Sequence, residues 1–457
     1  MNAGSLSQLA PTNSLAACAD SEVRQAARPQ RAPSAARQRG QAILFVVLLL
    51  AVGIGLFTYG AVRSVSLSQQ QDVTTRQAFI QVRDALIGWS VARSTTVPLP
   101  NARPGELPCP DMNNDGFEDG NCVAGAIGRV PWKTLGIPEP KDETGETLWY
   151  AIAGPFRIWN LNGTAINSDT KGNITVYQDS SATVLTNEAI AVIFAAGAPL
   201  GTQSRNTSAT ALCPTTGTTI AQNLCAANYL ETAATVNNAT TNGPFISAQA
   251  SSTFNDRLLA ITTANLMPVV EQRVARELRA ILESYKTATA ALGYNAGAGV
   301  YPWADSSDGM SDAPPYQLPG VGLNRGRIPA LGASPRNWGD PGPPAVPTLP
   351  AWFVNNNWRL VIYYSAGQNV LEAGGCSSCV DPTLSVDGVA GREVVILTPG
   401  PAGASRPAPV PPDDLTYWQY YFEDVQNNDY RNDSLGNDLY LTPSSSAYTR
   451  DRIFTIP

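Results

Sequence analysis

The sequence predicts an α+β protein in which an N-terminal transmembrane helix continues into two duplicated modules, each built from one helix and a β-sheet. Three observations predict it: an uncharged apolar stretch at 41–62, amphipathic helical spacing directly after it, and a series of landmarks that recurs in the second half of the chain. A chain of 457 residues also exceeds what one hydrophobic core usually serves, so we expect more than one domain.

The apolar stretch QAILFVVLLLAVGIGLFTYGAV, residues 41–62, is long enough to cross a bilayer, since as a helix it would span about 33 Å. Residues 1–40 carry a net charge of +3, whereas the whole chain carries −7. The positive-inside rule therefore predicts a cytoplasmic leader over 1–40 and a body outside the cytoplasm after Arg63. A cleaved secretory signal is the alternative, although its apolar core would be shorter.

The helical period continues beyond the apolar stretch. Phe79, Val82, Leu86 and Trp89 fall on one face of a helix, which predicts that the helix runs to about Ala92 and ends before the following prolines.

An internal duplication emerges when residues 76–261 are laid over residues 270–456. Each copy begins with an amphipathic helix and ends with Asp-Arg and an apolar run. The shared order predicts a first module over 63–267 and a second over 268–457. The intervening landmarks are 108–111 with 302–305, 128–131 with 326–329, 148–154 with 361–367, and 192–197 with 395–400.

Six cysteines lie on the side predicted to be exported, and they form three close pairs. An even number suits an oxidising compartment, so proximity predicts three disulfides. The last pair, spaced Cys-Ser-Ser-Cys, also fits a redox dithiol, but it lacks a strand-to-helix context, which favours a structural bridge. The predicted pairs are Cys109 with Cys122, Cys213 with Cys225, and Cys376 with Cys379.

A polar segment follows Cys109 and fits the first half of an Asp-x-Asn-x-Asp-Gly calcium loop. Alternating side-chain oxygens converge on a hard cation there, and the ligands predicted for Ca²⁺ are Asp111, Asn113, Asp115 and Asp119, with Glu118 as an alternative to the last. The twelfth loop position is Cys122, which rules out an EF-hand. A polar turn clamped by the disulfide is the competing interpretation.

The sequence gives little support for catalysis or for nucleic-acid binding. The chain has no His, which removes Ser-His-Asp, Cys-His and His-metal arrangements. The acidic body lacks the clustered cations that bind phosphates, so we expect neither an enzyme nor a nucleic-acid partner.

The segment Arg37-Gln38-Arg39-Gly40, followed at once by apolar residues, resembles the processing site of the type IV pilin and pseudopilin superfamily. The resemblance implies cleavage by a prepilin peptidase after Gly40, which leaves Gln41 as the mature N-terminus and a pilin-like head after the helix. Most pilins carry Glu at the fifth mature position. Here that position is Phe45, which is similar to the large, tip-type minor pseudopilin.

The implied function is that of a non-enzymatic, membrane-anchored subunit of a type IV filament or type II secretion-like system, which initiates or caps the filament. Its implied partners are other pilin or pseudopilin subunits, the prepilin peptidase and the bacterial inner membrane, with the body in the periplasm or in a surface filament. Two alternatives stay open: an uncleaved pilus-assembly protein similar to tight-adherence pseudopilins, and an anchored adhesin or lectin-like protein.

Overall fold

Helix α1, residues 72–93, presents an apolar face to the protein core in the computed structural model. Phe79, Val82 and Leu86 are buried there and Trp89 is half buried, as the helical spacing predicts. The structure describes residues 72–93, 102–120, 122–158, 166–304, 324–328, 347, 349–356, 358–371, 383–401, 422, 424–428, 439–443 and 450–457.

The second long helix, α2 (Thr263–Ala291), begins where the Asn265 side chain accepts a hydrogen bond from the Thr262 backbone N–H at 2.9 Å. Reciprocal bonds of this kind satisfy N–H groups that the first helical turn leaves free. Its buried positions recur every three or four residues, which turns one face of the helix to the core. They include Leu266, Val270, Val274, Leu278 and Leu282.

The first sheet has six strands, and its long central strand is β4 (Val184–Ala195). The first half of β4 pairs with β3, and its second half lies between β2 and β10. The second half is apolar and buried at every position, as a central strand covered on both faces should be. The other strands are β1 (Ile127–Arg129), β2 (Trp149–Ile152), β3 (Ile174–Tyr177), β9 (Phe245–Ile246) and β10 (Arg257–Thr262).

A second sheet has the order β11-β12-β15-β17, and a smaller sheet has the order β14-β13-β16. Strands β14 and β15 follow one another with only Glu393 between them, and each belongs to a different sheet. The strands are β11 (Arg325–Arg327), β12 (Tyr363–Ala366), β13 (Leu384–Val386), β14 (Val389–Arg392), β15 (Val394–Thr398), β16 (Leu439–Tyr440) and β17 (Arg452–Ile456).

Shorter elements complete the described chain. Two hairpins lie between β4 and β9, and three short helices lie in the second half. They are β5 (Thr210–Cys213) with β6 (Thr218–Ala221), β7 (Thr232–Ala233) with β8 (Val236–Asn237), and α3 (Ala351–Asn355), α4 (Trp358–Val361) and α5 (Val425–Asn428).

The two halves use the same kinds of contact. The strand pairings β1–β2–β4–β10 and β11–β12–β15–β17 are antiparallel and come in the same order along the chain. The Tyr150 hydroxyl donates to the Pro108 carbonyl at 3.2 Å, and the Tyr364 hydroxyl donates to the Pro302 carbonyl at 2.8 Å. Each of these bonds ties the segment before a sheet to its second strand. The module boundary at 267/268 stays a prediction.

The predicted fold class is wrong, because the described part of the chain is rich in β-strands and contains no helix that is both long and apolar enough to cross a membrane. Residues of α1, α2 and both larger sheets belong to one continuous apolar core. All described residues lie in one compact unit, Gln69–Pro457, and strands outnumber helices in its described part. Helix α2 contacts both larger sheets, so the two sheets share one covering helix.

The predicted localisation is corrected too. Within the described residues, no helix combines the length and the apolar character needed to cross a membrane. The prediction of a single-pass inner-membrane protein rested on residues 41–62, which lie outside the described residues together with the leader 1–40.

Asp256, in the first half of the chain, is the centre of a buried cluster of hydrogen bonds. Its Oδ2 accepts hydrogen bonds from the Glu231 backbone N–H at 2.9 Å and from the Asn238 side-chain amide at 3.0 Å. Burial, with the charge of Glu231, raises the pKa of Asp256 well above its ordinary value. The folded state therefore favours the protonated acid, so stability falls as pH rises from about 4, the unfolded value, through the folded-state pKa.

We expect Asp256→Asn to become more stable relative to the wild type as pH rises from 4 to 8. An asparagine oxygen can accept the same two hydrogen bonds but cannot ionise. Urea unfolding at both pH values measures the difference, with Asp84→Asn, which removes an exposed carboxylate from α1, as the control. A constant difference between Asp256→Asn and wild type across this range would contradict the assignment.

Candidate functional site

The polar loop predicted to bind calcium is closed by a disulfide between Cys109 and Cys122, whose Cα atoms are 5.7 Å apart. Just inside this loop, the backbone of Asp111 pairs with Arg129 on β1 through hydrogen bonds of 2.9 and 2.6 Å. The neighbouring Gly128 permits this approach, because a Cβ there would lie 2.6 Å from the Asp111 carbonyl oxygen. The loop is thereby attached to the edge of the six-stranded sheet.

Within the loop, the Asp111 carboxylate serves as a cap for the backbone. It accepts hydrogen bonds from the N–H groups of Asn114, Asp115 and Gly116 at 2.6, 3.2 and 2.7 Å. Burial raises the pKa of Asp111, and these N–H groups oppose that rise because they favour the charged form. The loop thus has the hydrogen bonds of a polar turn.

The two acidic residues that could complete a calcium site differ in orientation. Asp119 accepts hydrogen bonds from the Met112 N–H and the Asn113 amide at 2.5 and 3.3 Å, so it lies with the predicted ligands. Glu118 instead accepts the Cys109 N–H at 3.1 Å, and burial raises its pKa. The structure therefore places Asp111, Asn113 and Asp119 in one hydrogen-bonded loop and turns Glu118 away.

The fourth predicted ligand, Asp115, caps only its own turn. Its Oδ1 accepts the Phe117 N–H at 2.7 Å, and its backbone N–H donates to the Asn113 side chain at 2.9 Å. In the described part of the chain no group of three or more acidic, Cys or His side chains has the geometry of a metal site. Calcium binding by this loop stays a prediction.

A second disulfide joins Cys213 to Cys225, with Cα atoms 5.6 Å apart, and closes the β5–β6 hairpin. In the chain-entropy picture, closing a loop of this size stabilises the folded state by about 3 kcal/mol. Two of the three predicted cysteine pairs are therefore present. Cys376 and Cys379 lie outside the described residues, as do the predicted cleavage residues Gly40 and Gln41.

Sequence reasoning missed a stack of aromatic rings and guanidinium groups beside the loop. The Arg129 guanidinium lies 4.3 Å from the ring centre of Trp149, its partner on β2, and 4.0 Å from that of Tyr229. Arg205 lies 4.4 Å from the Tyr229 ring and forms an ion pair of 3.1 Å with Glu146. Cation–π contacts of this kind strengthen when they are desolvated.

Burial lowers the pKa of Arg129 and raises that of Tyr229. One signal in the sequence was available: the Gly-Arg pair recurs at Gly326-Arg327, where Arg327 also pairs across strands with an aromatic residue, Tyr363. Nothing in the sequence indicated that Tyr229 and Arg205 join the first of these pairs.

Comparisons with protein-family profiles, with curated proteins and with solved structures give no match for this chain.

If the loop binds Ca²⁺, saturating calcium should raise the melting temperature of the full-length protein, and chelator should lower it. Ligand at a hundred times its dissociation constant stabilises by about 2.7 kcal/mol. Asp115→Ala should abolish the response at small structural cost, because Asp115 caps only its own exposed turn. Equal melting temperatures in calcium and in chelator would contradict calcium binding and favour the interpretation of the loop as a polar turn closed by the disulfide.

Proposed function

We propose that the protein is a non-enzymatic subunit of a type IV filament or type II secretion-like system, a minor pilin or pseudopilin that initiates or caps the filament. The observation that carries the proposal is the two-sided character of α1. Phe79, Val82 and Leu86 pack into a core that contains antiparallel sheets, while Val73 and Ile80 are exposed on the opposite side of the helix. A helix of this kind can pack against its own sheet with one face and against a neighbouring subunit with the other.

The exposed side of α1 supports assembly because its apolar members lie together. Val73 and Ile80 are seven residues apart, two helical turns, so they share one face, and their exposed fractions are 52% and 40%. Apolar side chains on a common face are what helix–helix contacts between subunits use. We propose other pilin or pseudopilin subunits as the partners of this face.

The non-enzymatic part of the proposal rests on the chemistry of the chain. The sequence contains no His, so the most common general base is missing. The buried carboxylates of Asp111 and Asp256 accept backbone hydrogen bonds, and those of Asp111 hold a turn in place. In both residues the carboxylate therefore stabilises the fold.

Processing separates this proposal from an adhesin that has no place in a filament. Co-expressed with a prepilin peptidase, the chain should be shortened to begin at Gln41, and Gly40→Ala should block the cleavage. Intact-mass measurement and N-terminal sequencing of the purified protein detect the product. Recovery of unprocessed Met1 protein alongside a correctly processed control pilin would reject the filament proposal in this form.

Assembly through α1 gives a second test. The double variant Val73→Asp/Ile80→Asp should fold normally, because both side chains are exposed and such substitutions usually change stability by about 0.5 kcal/mol or less each. It should nevertheless co-purify with filament subunits at least about tenfold less than the wild type, a loss equivalent to about 1.4 kcal/mol.

Gln81→Asp is the control, since Gln81 is exposed on a different side of α1 and the variant adds one of the two negative charges of the double variant. Equal recovery of the double variant and wild type with the filament fraction would show that this face is not an assembly contact.

A further inference from the structure

An excursion of the chain, residues 198–244, separates β4 from β9 in the first sheet. It contains both short hairpins and the Cys213–Cys225 disulfide. Asp256, which directly precedes β10, ties this excursion to the sheet, because its Oδ2 accepts hydrogen bonds from the Glu231 backbone N–H and the Asn238 side-chain amide. One buried carboxyl group therefore holds two points of the excursion.

The other oxygen of this carboxyl group, Asp256 Oδ1, is buried and has no hydrogen-bond donor in the described part of the chain. Asp256 is only 3% exposed, so bulk water does not supply one. The Glu231 carboxylate lies within hydrogen-bonding reach of Asp256. Two carboxyl groups can form a hydrogen bond with each other only when one of them carries a proton, since an ionised carboxylate is an acceptor alone.

The hydrogen bonds of Glu231 indicate which of the two acids holds that proton. Glu231 Oε1 accepts the Gln203 side-chain amide at 2.8 Å, and Oε2 accepts the Asn255 backbone N–H at 2.9 Å. Donors to both oxygens favour the charged form of Glu231. Asp256 Oδ1 is the one oxygen of the pair that receives no N–H, so a proton there, donated to Glu231, satisfies every oxygen of both acids.

The cations near the two acids are engaged elsewhere. Arg205, which donates to the Gln203 side chain at 3.4 Å, pairs with Glu146 at 3.1 Å. Arg257 follows Asp256 in sequence but pairs with Asp72 at 2.7 Å and Glu143 at 3.7 Å. Loss of the shared proton would therefore leave two buried negative charges side by side without a cation to offset them.

We propose that Asp256 and Glu231 share one proton and form a pH-sensitive latch, which holds the excursion on the first sheet while the proton is present and releases it locally when the proton is lost. Burial and the charge of Glu231 raise the pKa of Asp256 in the closed state. The closed state is therefore fully stabilised below the pKa of a free aspartate, about 4, and this contribution is lost as pH rises through the closed-state pKa.

The second half of the chain repeats one part of this arrangement. Asn427 donates to Asp451 Oδ2 at 2.9 Å and accepts the Leu441 N–H at 2.8 Å, as Asn238 does with Asp256 and with the Ile246 N–H. The Asn–Asp contact therefore belongs to the architecture of both halves. The sequence differs at the acid, because the residue seven positions before Asn238 is Glu231, whereas the residue seven positions before Asn427 is Tyr420.

Reduction of the two described disulfides reports release of the excursion. Both are buried, and Cys109–Cys122 lies outside the excursion, so it is the internal reference for Cys213–Cys225. The full-length protein is treated with a phosphine reductant from about pH 5 to about pH 9, and mass spectrometry of alkylated samples gives both rates. We expect the ratio of the Cys213–Cys225 rate to the reference rate to rise at least about tenfold, and by no more than about tenfold per pH unit, because one proton is released.

Three variants assign this rise to the latch. Asp256→Asn should hold the ratio at its low-pH value throughout, because the asparagine amide can donate to Glu231 where the proton did. Glu231→Gln should flatten the rise as well, since it removes the charge beside Asp256. Asp451→Asn is the matched control and should keep the wild-type rise, because it changes the equivalent Asn–Asp contact of the second half.

The outcomes separate local release from general unfolding. The proposal is overturned if the wild-type ratio stays constant over this pH range, if both disulfides become reducible together with the same pH dependence, or if folded Asp256→Asn rises as the wild type does. Should Asp256→Asn fail to fold, Glu231→Gln decides the question, and an undiminished rise in that variant would equally reject the latch.

Discussion

The apolar face of helix α2 is the contact on which the rest of the structure depends. Val270, Val274 and Leu278 lie in the core shared by both larger sheets, and the helix contacts β4 and β10 of the first sheet and β15 of the second. Each of these sheets turns one face to α2, and the opposite faces pack into separate apolar clusters. Large-to-small substitutions at such positions cost about 2–5 kcal/mol, and here they would loosen two sheets together.

A buried charge lies on the same helix. Glu271 is 1% exposed, accepts a hydrogen bond from the Ser168 hydroxyl in the first half, and forms an ion pair with Arg452 at the start of β17. Breaking a buried ion pair by removing one partner costs about 3–5 kcal/mol, because the remaining charge is stranded. The apolar face of α2 supplies the attraction between the halves, and Glu271 restricts how they can fit.

The sequence predicted local features well and distant ones poorly. The spacing of Phe79, Val82 and Leu86 is enough to identify the buried side of α1, because all three lie within three helical turns. The pairs Cys109–Cys122 and Cys213–Cys225 are likewise near neighbours in sequence. Periodicity carries no information about which other element covers a face, so it did not indicate that α1, α2 and both larger sheets share one core.

The candidate site shows the same limit. Alternating acidic and amide side chains pointed to the loop after Cys109, and the structure brings Asp111, Asn113 and Asp119 together there. The stack beside it joins Arg129 to Tyr229 and Arg205, which are contributed by segments far apart in the chain. Only the register between β1 and β2, which places Arg129 opposite Trp149, has a counterpart in the sequence, and that counterpart is the repeated Gly-Arg pair.

The repeated arginines show what the two larger sheets have in common. Arg129 and Arg327 both lie opposite an aromatic residue on the next strand, so a buried guanidinium packed across a strand pair belongs to the architecture of either sheet. Only around Arg129 do two disulfide-closed segments meet over the arginine and leave a cavity beside it, within the part of the chain that the structure describes.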